Sequence, residues 1–262
     1  MLSPAEIRSA ADALQGAYAS AVPIAPLSRS FPGLDVEDAY AIQSLQVVDW
    51  ARAGRAVRGY KVGLTSAAMQ AQLGVDQPDY GFLLDGMYFP VGSTVDASRF
   101  ISPRIEPEIA VVLASPLRGP GLTLTEVASA IGTVVGALEI IDSRIADWAI
   151  TLPDTIADNA SSAGVVVGET QLPLEAVDVV SLGVQFSIND QAAGQGTGAA
   201  VLGSPLNAVL WLANRLGELG VELAAGAVVL PGSVCAAAPI AAGDRVVADF
   251  GPLGTVGITV KE

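Results

Sequence analysis

The 262-residue sequence contains no histidine, one cysteine and two lysines, and each scarcity removes a class of chemistry. Without histidine no imidazole is present to act as a general base, and Cys235 lacks the partner that would activate it as a nucleophile. A lone cysteine forms no internal disulfide, in keeping with a reducing compartment. No uninterrupted apolar run approaches the ~20 residues of a membrane-spanning helix. Glu6 and Arg8 stand where a secretory signal needs apolar residues, so a cytoplasmic protein with no membrane partner is expected. Basic residues are few and scattered, and a formal net charge of −14 argues against nucleic acid, which is bound by clustered Lys and Arg. Aromatics make up only 5% of a chain that is 51% hydrophobic, so the core is expected to be built from Ala, Val, Leu and Ile.

Against eleven arginines, the lysines are Lys61 and Lys261, the latter next to the C-terminus. Arginine supplies a structural positive charge equally well but does not release its proton near neutral pH, whereas a desolvated lysine does. Lys61 is therefore a candidate for a titratable amine, the alternative being that an arginine-rich composition left one internal lysine by chance. Ser3-Pro4-Ala5-Glu6 has the form of a capping box opening a helix to about Ala19, and a second helix is expected from Asp35 past Trp50. From Val57 onward, shorter β-branched runs broken by Gly, Pro and Asp read as strands and turns. Strands are expected at 109–113, 134–141, 165–167, 184–188, 227–230, 245–250 and 255–260, with helices at 123–131 and, capped by Ser204, at 206–219. Gly194 to Gly198 lacks the spacing of a dinucleotide-binding loop and reads as a turn. The order is mixed, neither alternating nor repeated.

The strongest chemical signal is Glu106-Pro107-Glu108 at the head of one buried strand and Glu139 inside another. Residues i and i+2 of a strand share a face, so Glu106 and Glu108 project together. Carboxylates gathered in a core raise one another's pKa and cost several kcal/mol unless a cation compensates. Oxygen ligands without histidine point to Mg2+ or Mn2+ rather than zinc. The alternative pairs Glu106 with Arg104 and buries only Glu139. Asp79, before Tyr80-Gly81, reads most simply as a turn residue. Ser161 and Ser233 lie at strand edges that read equally as plain turns, and Asp142 and Arg144 read as an ion pair.

The segments GYKVGLTS, LGVDQPDYGFLL, PRIEPEIAVVL, ALEIIDSRIADW, DTIADNASSAGVVVG, VLGSPLNAVLWLAN, VVLPGS and AGDRVVADFGPLGTV resemble, in order, those of the 2-hydroxypenta-2,4-dienoate (2-keto-4-pentenoate) hydratases, in the hydratase/decarboxylase branch of the fumarylacetoacetate hydrolase superfamily. The resemblance runs from about residue 35 to the C-terminus. It implies an α+β fold, with a mixed β-roll catalytic core over residues 71–262 and a smaller N-terminal helical α/β portion over residues 1–70. It places the metal ligands on Glu106, Glu108 and Glu139, the lysine on Lys61, the acid/base aspartate on Asp79, and pocket-lining serines on Ser161 and Ser233. The implied reaction is metal-dependent addition of water to a 2-hydroxy-2,4-dienoate, through its 2-oxo-3-enoate tautomer, in meta-cleavage degradation of aromatic or steroid rings. Implied partners are a small anionic 2-oxo or 2-hydroxy acid, further copies in a homo-oligomeric ring (pentamer or decamer), and a pathway aldolase. The superfamily's carbon–carbon hydrolases use a histidine-centred base, which this chain lacks. The similar 2-oxo-3-hexenedioate (4-oxalocrotonate) decarboxylases share the triad and the lysine but tend to lack an aspartate at the position of Asp79. A non-catalytic scaffold subunit is the alternative of another class; it would have little reason to keep Asp79.

Overall fold

The computed structural model describes residues 1–66, 70–71 and 74–262; Leu73, which opens one of the matching segments, lies outside them. Three helices come first: α1 (Pro4–Ser20), α2 (Leu27–Ser30) and α3 (Val36–Arg52). Capping boxes at Ser3/Glu6 and Asp35/Asp38 start α1 and α3 by satisfying backbone N–H groups that have no partner within the helix. Ala10, Ala11 and Leu14 of α1 meet Ala39 and Ile42 of α3 in an apolar core. Leu152, Ile156 and Ala157 complete it from a later helix.

The strands follow: β1 (Val57–Gly63), β2 (Asp79–Leu84), β3 (Tyr88–Phe89), β4 (Thr94–Asp96), β5 (Arg104–Leu113), β6 (Ile131–Ile141), β7 (Ser162–Leu172), β8 (Gly183–Ile188), β9 (Gln191–Thr197), β10 (Val228–Leu230), β11 (Ala238–Pro239), β12 (Arg245–Asp249) and β13 (Thr255–Lys261). Between them lie α4 (Leu124–Ala130), α5 (Leu152–Ala157) and α6 (Pro205–Glu218). One sheet runs β2-β1-β10-β5-β6-β7-β3, with β11 added to β5, and a second runs β4-β13-β12-β8-β9. The sheets pack through β13 against β6 and β7. Gly136 of β6 leaves space for the Phe250 ring, whose Cδ2 lies 2.6 Å from where a β-carbon would stand. The fold is α+β with curled, mixed sheets. β1, which a division at residue 70 groups with the N-terminal helices, lies inside the larger sheet between β2 and β10. No helix among the described residues is long and apolar enough to cross a membrane.

Two local readings are corrected. Gly194 to Gly198 is not a turn: its first four residues extend β9. Side chains at Gly194 and Gly196 would strike the Phe186 ring and the Val234 carbonyl oxygen, so these glycines serve close approach rather than reversal. Asp142 and Arg144 do not pair with each other. Arg144 pairs with Asp158, while the Asp142 carboxylate accepts the Ile101 and Ser102 N–H groups at 2.8 and 2.7 Å.

Candidate active site

The register of β5 against β6 sets Glu106 directly opposite Glu139, and the two-residue period puts Glu108 on the face of Glu106. Ligand oxygens from the three lie within 4.8 Å of one another. Glu108 and Glu139 are fully buried, and Glu106 is half-buried. Arg104 does not take up Glu106 as an ion pair; its guanidinium lies over Trp148, 4.5 Å from the ring centre. Glu108 Oε2 receives the Gly232 N–H at 2.6 Å, whereas among the described residues Glu108 Oε1 and both oxygens of Glu139 have no hydrogen-bond partner. Gly232 makes that contact at φ +127°, against the Thr65 side chain, a combination that only glycine accommodates readily.

Lys61 enters from β1. Its Nζ lies 3.5 Å from Glu139 Oε2 and donates to the Ala160 carbonyl at 3.0 Å. Asp79 is the first residue of β2, paired in register with Gly63, and is 2% exposed rather than a surface turn. A side chain at position 63 would occupy the space of Asp79 Oδ1 and lie 3.5 Å from Lys61 Nζ. Gly63 is thus what lets the aspartate turn inward beside the lysine.

Four carboxylates therefore surround one ammonium. Burial, then Glu139, pushes Glu106 up to about 7, against the pull of Lys61 and Arg104. Burial and the neighbouring glutamates push Glu108 well above the usual range, and burial raises Glu139 and Asp79 against the opposing charge of Lys61. Burial alone would lower Lys61, but Glu139, Asp79, Glu106 and Glu108 together overcome it and raise it. Desolvation alone would ease release of the Lys61 proton; the four carboxylates oppose it. The donor set fits a hard divalent cation: three converging carboxylates, unpartnered buried oxygens and one compensating cation.

Ser161 is buried behind Ala160, with its hydroxyl 3.4 Å from that of Thr155. Ser233 spends its proton on the Cys235 carbonyl at 2.7 Å and forms an isolated bridge with Glu108. The Gly232 N–H, the Ala160 carbonyl and the clearance at Gly63 carried no residue-type signal in the sequence.

Residues 52–261 match the family described as Fumarylacetoacetate (FAA) hydrolase C-terminal. The chain belongs to this family. It is 44% identical over 252 residues to 2-hydroxyhexa-2,4-dienoate hydratase of Comamonas testosteroni, covering 95% of each chain. It is 42% identical over 255 residues to 2-keto-4-pentenoate hydratase of Paraburkholderia xenovorans (strain LB400), covering 97% of this chain and 95% of the relative. The solved structure of 4-oxalocrotonate decarboxylase from Pseudomonas putida G7, complexed with magnesium and adipate, superposes with a TM-score of 0.96 at 38% identity over 99% of both chains.

Proposed function

We propose that this member of the fumarylacetoacetate hydrolase family is a hydratase, a hydro-lyase that converts a 2-hydroxy-2,4-dienoate to a 4-hydroxy-2-oxo acid. The observation that carries the reading is the placing of Lys61 and buried Asp79 beside an all-carboxylate triad with unpartnered oxygens. Glu106, Glu108 and Glu139 would hold Mg2+ or Mn2+. Such an ion, when bound, supplies Lewis acidity and a template for the substrate's carboxylate and 2-oxygen. Lys61 supplies the positive charge that stabilises an enolate-like 2-oxygen. Asp79 and Lys61 carry the protons. As the 2-hydroxyl loses its proton, one is delivered to the terminal carbon C5, giving the 2-oxo-3-enoate; water then adds at C4, and C3 takes up a proton to complete the saturated chain. Burial, which keeps a proton on Asp79 to higher pH, suits it to this traffic. Ser161 and Ser233 are assigned to the pocket lining. A cytoplasmic homo-oligomer that passes its product to an aldolase completes the reading.

Close superposition on a decarboxylase favours decarboxylation of 2-oxo-3-hexenedioate as the second reading. Both are tested by mixing the purified protein with Mg2+ and freshly generated 2-hydroxypentadienoate, following loss of the dienol absorbance and analysing the product. A 4-hydroxy-2-oxo acid is expected. CO2 release from 2-oxo-3-hexenedioate with no hydration of the dienoate would replace the first reading by the second. A scaffold would bind Mg2+ without forming a ternary complex with oxalate, which calorimetry would show.

A further inference from the structure

Between α5 and β7 the backbone makes a turn that L-residues avoid. Asn159, Ala160 and Ser161 have φ of 53°, 50° and 59°, three successive left-handed residues of which only asparagine tolerates that region well. The turn is held at both ends. Before it, the Asp158 carboxylate accepts the Arg144 N–H at 2.9 Å and Nε at 2.5 Å, and Arg144 Nη2 donates to the Asp158 carbonyl at 2.8 Å. At its far end, the carbonyl of Ser161, the last of the three, accepts the Asp142 N–H at 2.9 Å.

The middle of the turn faces the site. The Asn159 amide brackets Phe82 of β2, its Oδ1 accepting the Phe82 N–H at 2.8 Å and its Nδ2 donating to the Phe82 carbonyl at 2.9 Å. Phe82 lies three residues from Asp79 on the same short strand. Gly81 completes the fit, because a side chain there would strike the Asn159 carbonyl. The next carbonyl, that of Ala160, accepts from Lys61 Nζ. Asn159 is therefore hydrogen-bonded to the strand that carries Asp79 and is directly followed by the carbonyl that holds Lys61.

We propose that Asn159 is a positioning residue that sets Lys61 and Asp79 relative to each other, through its amide bracket on β2 and the left-handed turn that aims the Ala160 carbonyl. The catalytic part of this proposal rests on Lys61 and Asp79 acting together in the hydration reaction. Asn159 itself touches neither the triad nor any reacting atom; its effect passes through the other two.

The test is Asn159→Gly, which removes the bracket while keeping a residue that accepts positive φ. Misplacing a catalytic group by about 1 Å costs on the order of 100-fold, so kcat for the dienoate is expected to fall about 10- to 100-fold, with KM changed by less than about threefold. Mg2+ affinity, read by calorimetry, is expected to be unchanged, since the triad stands on β5 and β6. That readout separates the effect from misfolding. In an Asp79→Asn background the same substitution is expected to cost clearly less than in the parent chain, because one of the two groups it sets against each other has lost its function; full additivity would overturn the proposal. A readout independent of turnover uses the two lysines. In amine labelling followed by mass spectrometry, Lys61 is expected to react faster in Asn159→Gly than in the parent chain, with Lys261 as internal reference. An unchanged Lys61 rate together with an unchanged kcat would overturn the proposal. If the parent chain hydrates no dienoate while Lys61 still responds, the positioning survives and the hydratase reading falls.

Discussion

Metal binding at the three glutamates is expected to weaken sharply as pH falls from 8 to 6, because the ligands must lose protons that the metal-free site retains. Glu106 is held up to about 7 by burial and by Glu139. From a pKa of about 7, the ionised fraction falls from about nine-tenths at pH 8 to about one-tenth at pH 6, so this carboxylate alone weakens Mg2+ binding about tenfold. Glu108 and Glu139 are also raised, so log K should rise by at least about one per pH unit below pH 7. The assay is calorimetric titration with Mg2+ at pH 6, 7 and 8 in two buffers of different ionisation enthalpy, which counts released protons. From Glu106 alone, about one proton per metal is expected at pH 6. The sign for stability follows. A carboxyl whose folded pKa exceeds its ordinary 4.5 binds more protons folded than unfolded, so its cost is absent at low pH and grows as pH rises through 4.5 to about 7. For Glu106 that cost reaches up to about 3 kcal/mol. Mg2+ should therefore raise the melting temperature more at pH 8 than at pH 6. A dissociation constant equal at pH 6 and 8 without proton release would refute the reasoning.

Three substitutions probe the rest of the site and its frame. Lys61→Arg keeps the charge but not a proton that can be released near neutral pH; the hydration rate is expected to fall at least about 100-fold, and full activity would leave Lys61 a purely electrostatic role. Gly63→Ala puts a methyl group where Asp79 Oδ1 lies; kcat should fall toward the level of Asp79→Asn while calorimetry shows Mg2+ binding intact, and an unaffected kcat would separate Asp79 from the chemistry. Arg144→Met leaves buried Asp158 without its cation, and stripping one partner from such a pair costs about 3–5 kcal/mol; denaturant unfolding that moved by less than about 1 kcal/mol would show that water or another group takes over.

What could be read in the sequence was what local chemistry decides. The capping box at Ser3/Glu6 is formed by residues three apart, and its helix begins where those residues stand. Glu106 and Glu108 share a face because a strand has a period of two. That Glu139 faces Glu106 is a matter of register between two strands, and register is set by the packing of the whole sheet rather than by either segment. The local reading of Asp79 fails for the opposite reason: Asp-Tyr-Gly carries a local turn signal, and only the pairing of β2 with Gly63 of β1 reverses it. The same holds for Arg144, whose partner is not its neighbour Asp142 but Asp158, 14 residues away. Backbone groups left no trace at all, since the Ala160 carbonyl that holds Lys61 belongs to a residue with no functional side chain.

The division of labour between sheet and turn bears on which reaction the site performs. Glu106, Glu108 and Glu139 occupy β5 and β6 and could serve hydration or decarboxylation alike, since both pass through a 2-oxo-3-enoate whose charge is drawn toward its 2-oxygen. Decarboxylation needs little more, because CO2 departs and leaves the electron pair of the broken C–C bond in the substrate's conjugated system, as a dienolate with its charge on the 2-oxygen. Hydration must in addition move protons at carbons along the substrate and take one from water. In the proposed reaction Asp79 is the group suited to that extra task, and three features bear on its placing: the cleared space at Gly63, the two hydrogen bonds between Asn159 and the same strand, one accepted and one donated, and the opposing charge of Lys61. Asp79→Asn should therefore lower hydration of the dienoate about 100-fold, to a still measurable rate, while leaving Mg2+ binding intact. If hydration survived Asp79→Asn undiminished, the sheet would be sufficient for the chemistry, and the case for hydration over decarboxylation would lose its structural basis.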